Sequence, residues 1–108
     1  MARFDLYHNP NEDTAQSTPY VVDIQSDHVG VLPTRIVIPL RRLKSLGYSG
    51  SPSDLLPVIT INSEGHFLDT PAMAAVPFSY LGRPVANLEK EGYRKAIEDA
   101  KERLFGAH

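Results

Sequence analysis

The chain contains no cysteine, which excludes disulfides, thiolate zinc sites, iron–sulfur ligation and thiol catalysis. An excess of either charge is missing too. Eleven Lys and Arg stand against thirteen Asp and Glu, a formal charge of −2, so no overall field draws in nucleic acid or anionic lipid. No apolar run approaches the roughly 20 residues of a membrane span, and the N-terminus lacks the basic, apolar and small-residue order of a signal peptide. The expectation is a cytoplasmic protein with no membrane and no direct nucleic-acid partner.

Catalytic signatures are also lacking. Neither His-Glu-x-x-His nor another paired ligand spacing occurs among the four histidines. Gly47-Tyr48-Ser49-Gly50 lacks the Lys and the preceding strand of a phosphate loop, and Ser49 has no glycine at the spacing of a nucleophile elbow. Asp27-His28 could pass for half of an acid–base dyad, but turn composition explains it equally well. His66 falls in a predicted strand and reads as structural, and His108 as a loose terminal residue. Arg41-Arg42 with Lys44 is the one basic cluster; without neighbouring aromatics it reads as a solvated turn, not a single-strand platform. A small protein without catalytic machinery works by presenting a surface.

What is present is a core and its punctuation. At 108 residues, 42% hydrophobic and 22% charged, the chain reads as one domain over 1–108, able to bury roughly two-thirds of its unfolded surface. Nine prolines fall mostly between short apolar segments. Arg3–Tyr7 alternates with Phe4 and Leu6 on one face, and Tyr20–Gln25 with Tyr20, Val22 and Ile24 on one face. The polar stretch His8–Pro19 between them is a long loop of the kind that is often functional or mobile. Arg35–Leu40 is the clearest strand, with three consecutive β-branched residues, and Pro39 should end it or lie on an edge. Arg41–Pro57 is irregular, with a short helical turn near Arg42–Leu46. Val58–Ile61 and His66–Asp69 flank Asn62–Gly65, which fits a hairpin with a type I turn and a left-handed residue. Phe78–Leu81 offers one more short strand.

From Asn87 the period changes. Tyr93, Ala96, Ile97, Ala100 and Leu104 form a narrow helical stripe, with Asn87 as N-cap and Gly106 at C′. Glu91–Lys95 and Asp99–Arg103 are expected i,i+4 pairs. Ile38 and Ile97 are the expected core residues. Phe105, eight residues past Ile97, reads equally as a packed helix end or as an exposed aromatic anchor for a partner.

The segments Tyr20-Val21-Val22-Asp23-Ile24-Gln25-Ser26-Asp27 and Thr34-Arg35-Ile36-Val37-Ile38-Pro39-Leu40 resemble the CcdB toxin family. Leu56-Pro57-Val58, Met73-Ala74-Ala75-Val76-Pro77 and Pro84-Val85-Ala86-Asn87-Leu88 follow in the family's order, so the resemblance runs from about Arg3 to Gly106. It implies a β-rich, CcdB/PemK-like fold: an SH3-like antiparallel sheet, a small second sheet and a C-terminal helix, assembled as a homodimer. It further implies the toxin half of a type II toxin–antitoxin pair, which binds the A subunit of DNA gyrase and traps the gyrase–DNA cleavage complex. Such a toxin is not an enzyme and takes no cofactor or metal. A cognate CcdA-like antitoxin neutralises it through a partly disordered tail that orders on binding.

In the family, gyrase poisoning depends on the last residues, commonly Gly-Ile and in some members preceded by Trp. Here Gly106 can match that glycine, with Ala107 in place of isoleucine and His108 as an extra residue. Alternatively, Phe105 matches an aromatic further back and the terminal pair is lost. A second family contact is the turn that here carries His28 and Val29, where some members have two apolar residues. The implied gyrase-binding set is therefore Phe105, Gly106, Ala107, His28 and Val29. Two other readings stand beside it: a family member that binds antitoxin but has lost poisoning, and an endoribonuclease like the MazF/PemK toxins, which share the general fold.

Overall fold

The computed structural model describes residues 2–26, 32–44 and 54–106. Seven strands lie within them: β1 (Asp5–His8), β2 (Tyr20–Asp23), β3 (Thr34–Arg42), β4 (Val58–Ile61), β5 (Glu64–Leu68), β6 (Ala74–Pro77) and β7 (Ala86–Asn87). One helix, α1 (Arg94–Phe105), closes the described chain. All pairings are antiparallel, in the order β4-β5-β3-β2-β1-β7, and β6 also pairs with β3. The fold is β-rich with a C-terminal helix, as the sequence indicates.

Alternation sorts the side chains onto two faces. Phe4, Leu6, Val22, Ile24, Ile38, Leu40, Ile59, Ile61 and Leu68 face α1 and close a core with its Ile97 and Ala100. Ile38 and Ile97, the two residues singled out from the sequence, are both fully buried. On the opposite face Tyr7, Val21, Val37 and Leu81 form a smaller cluster.

Strand β3 organises the sheet. Its first half pairs with β6 and its last three residues with β5, while β2 lies along its other side. Pro39 therefore sits inside a central strand, contrary to the expectation of an end or an edge. The fork explains the tolerance: the Asp69 N–H donates to the Pro39 carbonyl, so the Pro39 backbone turns away from β2. Its missing N–H falls in the gap between the β6 and β5 pairings, where no ladder bond is lost.

Two local expectations are corrected. The β4–β5 hairpin turns on two residues, Asn62 and Ser63, both with positive φ (52° and 66°); this is the geometry whose twist matches paired strands. Gly65 belongs to β5 instead, where a Cβ would stand 2.9 Å from Leu43 Cδ1. Phe78–Tyr80 is a 3₁₀ turn and not a strand. Its Phe78 N–H bonds the Pro33 carbonyl just ahead of β3, where the partner strand has run out. The short helical turn expected near Arg42–Leu46 is seen in part: Arg42 still belongs to β3, the chain turns at Leu43 and is 3₁₀ at Lys44, and the last two residues lie outside the described residues.

Candidate functional site

The C-terminal helix carries the first group of candidates. It starts later than its periodicity suggests. Asn87 lies in β7 and caps a separate turn, its Oδ1 accepting from the Glu89 and Lys90 N–H groups. Gly92 then takes φ +90°, a value that suits glycine and interrupts any helix. Glu91 thus precedes the helix, and Lys95 pairs with Asp99 (2.7 Å) in its place. Tyr93 fixes the helix start, its hydroxyl accepting from the Thr60 N–H of β4 (3.2 Å). Arg3 ties Glu98 to the other end of the sheet (2.8 Å).

The last turn rotates off the core. Ile97 and Ala100 are fully buried and Leu104 is half-buried, whereas the Phe105 ring is 69% exposed. The two readings of Phe105 are thereby resolved toward exposure. Gly106 ends the helix in the left-handed region (φ 64°, ψ 60°), and its N–H bonds the Glu102 carbonyl (3.0 Å). This satisfies one orphan carbonyl and ends the helix. Ala107 lies outside the described residues.

His28 and Val29 also lie outside the described residues, but the chain that leads to them is firmly held. The buried Arg35 guanidinium grips Asp23 with two bonds, Nε to Oδ2 (2.8 Å) and Nη2 to Oδ1 (3.1 Å). Nη2 also donates to the Gln25 carbonyl, and the Gln25 side chain accepts from the Ile36 N–H. Asp23 Oδ1 in turn accepts the Gln25 N–H. Two charges buried together require such complete pairing, because either one alone would be stranded in low dielectric. The network locks residues 23–25 onto β3. The nearby Tyr7 phenol is pushed up to about 12, first by burial and then by the Asp5 and Asp23 carboxylates, with Arg35 opposing. It stays neutral at physiological pH and cannot serve as a base.

The loop His8–Pro19 is braced internally. The Asn9 amide reaches Thr14 Oγ1 and the Thr18 carbonyl, and the Asn9 and Asn11 side chains accept from backbone N–H groups two residues on. With β6 and Tyr80 this loop borders a cleft of about 430 Å³ lined by Asn9, Pro10, Asn11, Val21, Val76 and Tyr80. Tyr80 is 65% exposed and Phe78 43%. Sequence reading singled out the loop but missed the wall that faces it, β6 and Tyr80. Its signal was available: Thr70–Gly82 contains no charged residue, an unusual length of neutral chain for a solvent-facing segment.

The two arginines of the basic cluster prove to be structural, while Lys44 is exposed. Arg41 binds Asp69 (2.6 Å) and Thr18 Oγ1 (2.8 Å); Arg42 binds Glu64 and the Gln16 carbonyl. The Arg42 bond holds the Glu64 carboxyl below its ordinary range. Among the described residues no group of three His, Asp or Glu could hold a metal ion. No helix there is long and apolar enough to cross a membrane. The described residues thus offer an exposed aromatic at a capped helix end and an apolar cleft on the far face of the sheet. Against this geometry, a family model described as CcdB protein matches residues 3–106.

Proposed function

This chain belongs to the CcdB family, the toxins of toxin–antitoxin systems, and from that premise we propose that it binds the A subunit of DNA gyrase and traps the gyrase–DNA cleavage complex. The protein works as a homodimer in the cytoplasm, and a CcdA-like antitoxin neutralises it. It acts by binding and not by catalysis: a ligand that engages only the cleaved state of gyrase raises the population of that state. The observation that carries the reading is the exposed Phe105 ring on a helix end capped by Gly106. Aromatic side chains held on a rigid element supply much of the energy at protein interfaces.

The engaged arginines argue for binding over RNA cleavage. Arg41 and Arg42 bond Asp69, Thr18, Glu64 and Gln16, so two of the three cations that a nuclease would need for phosphate contact serve the fold. The test is DNA cleavage by gyrase from the same source, with purified toxin and ATP. Linear DNA is expected to accumulate with the intact chain, to vanish on deletion of Gly106–His108, and to vanish when the antitoxin is added. Folded, dimeric protein that leaves gyrase products unchanged would turn the reading to a member that binds antitoxin without poisoning.

A further inference from the structure

The fork at β3 leaves one strand uncovered. β6 pairs only with β3, and its Ala74, Ala75 and Pro77 are exposed. Every side chain of the strand is apolar, and no charged residue occurs from Thr70 to Gly82. Strand edges that face water are commonly blunted by charged side chains or covered by another element. Among the described residues, β6 has neither.

The phase of the ladder fixes what this edge offers. The Phe78 N–H bonds the Pro33 carbonyl, and antiparallel pairs alternate between bonded and non-bonded. Along the same register Arg35↔Val76 and Val37↔Ala74 are the bonded pairs, so Ala74 and Val76 turn their backbone groups to β3. Ala75 and Pro77 turn theirs outward. Pro77 has no N–H, and the Met73 N–H is taken by the Thr70 carbonyl. Ala75 therefore carries the one outward donor of the strand, beside its own outward carbonyl.

That pattern selects a partner. A long foreign strand would find a single donor here, where a strand-capturing edge presents a row of them. A second copy of the same edge, run antiparallel about a two-fold axis at Ala75, satisfies that residue completely: each Ala75 N–H donates to the other's carbonyl. Identical surfaces repel when they carry charge of one sign, and this one carries none. The charged residue in register with β6, Arg35, is buried and held by Asp23. Two hydrogen bonds do not hold a dimer by themselves. Apolar side chains at the C-terminal end of the strand supply further contact: Phe78 is 43% exposed, and Leu32, next to the Pro33 that Phe78 bonds, is 47% exposed. Contiguous apolar surface of this kind marks interaction sites on small domains. On the homodimeric reading given above, we propose that the β6 edge is the dimer interface, the two sheets joining through antiparallel β6 strands centred on Ala75. Such an interface uses the same patch on both copies and closes at two.

The absence of cysteine allows a direct test. Opposed residues of a bonded antiparallel pair stand about 5.5 Å apart at Cα, within disulfide reach. Ala75→Cys should therefore give a covalent dimer under mild oxidation, whereas Ser79→Cys, exposed but four residues further along, should not. Ala75→Pro removes the outward donor and leaves the β3 ladder untouched. In sedimentation it should run at the 12.0 kDa of one chain, at a concentration where the intact protein runs at twice that mass. If Ala75→Pro does not fold, the cross-link decides. A dimeric intact protein whose Ala75→Cys variant fails to cross-link, or cross-links no better than Ser79→Cys, would overturn the β6 interface and leave the homodimer standing. A monomeric intact protein would overturn both. An Ala75 N–H that gains protection from exchange only when antitoxin is added would give the edge to that partner and also contradict the proposal.

Discussion

The middle of α1 and its last turn share one helix and do opposite work. Ile97 and Ala100 are sealed against the sheet, with Leu88, Ile38 and Val22 in the same cluster; eight residues on from Ile97, Phe105 is 69% exposed. Nothing in residue chemistry separates the two, since both carry large apolar side chains. Their angular position does: the stripe passes through Ile97, Ala100 and the half-buried Leu104, and the next residue points outward. The lesson is that a helix can anchor the fold through one arc and expose a large apolar side chain to solvent through another, provided its end is fixed. Gly106 and the Glu102 carbonyl fix it here.

The contrast can be sharpened by substitutions on both sides, read in stability and in toxicity. The largest stability loss is expected away from the helix, at Arg35→Ala, which strands the buried Asp23 carboxylate and should cost roughly 3–5 kcal/mol in denaturant unfolding. Ile97→Ala follows at roughly 2–5 kcal/mol, the spread reflecting how far the cavity collapses; a loss below about 0.5 kcal/mol would mean that this arc of the helix is not the anchor. Gly106→Ala forces a side chain into the left-handed region and should cost about 1 kcal/mol. That variant tests whether the cap directs the tail, because toxicity should drop more than this small loss explains. Phe105→Ala should change stability by less than about 0.5 kcal/mol, as an exposed residue does.

The same contrast explains what could be read from sequence. Alternation in Phe4–Tyr7 and Tyr20–Gln25 placed side chains on the correct faces because period two is a local property of an extended chain. The stripe around Ile97 was legible for the corresponding reason. Pro39 was misread because its tolerance depends on which strands lie beside β3, a fact of tertiary pairing that no local pattern carries. Asn87 offers a similar case: it does cap a turn, but Gly92 separates that turn from the helix. The hairpin register was displaced because Asn62 and Ser63 both take left-handed conformations, leaving Gly65 free for the close approach of Leu43. For the candidate surface, periodicity left Phe105 open between core and solvent, since a residue at the margin of a stripe is assigned by the depth of the neighbouring sheet. The cleft bordered by Val76 and Tyr80 required β6 to be seen beside β3.

The most direct test of the division within α1 is one variant, Phe105→Ala, measured in two ways: its unfolding midpoint in denaturant and its power to make gyrase accumulate linear DNA. The account predicts a midpoint indistinguishable from the intact chain together with loss of DNA cleavage. A shifted midpoint with cleavage retained would contradict it, returning Phe105 to the core and leaving the gyrase contact to be sought elsewhere on the surface.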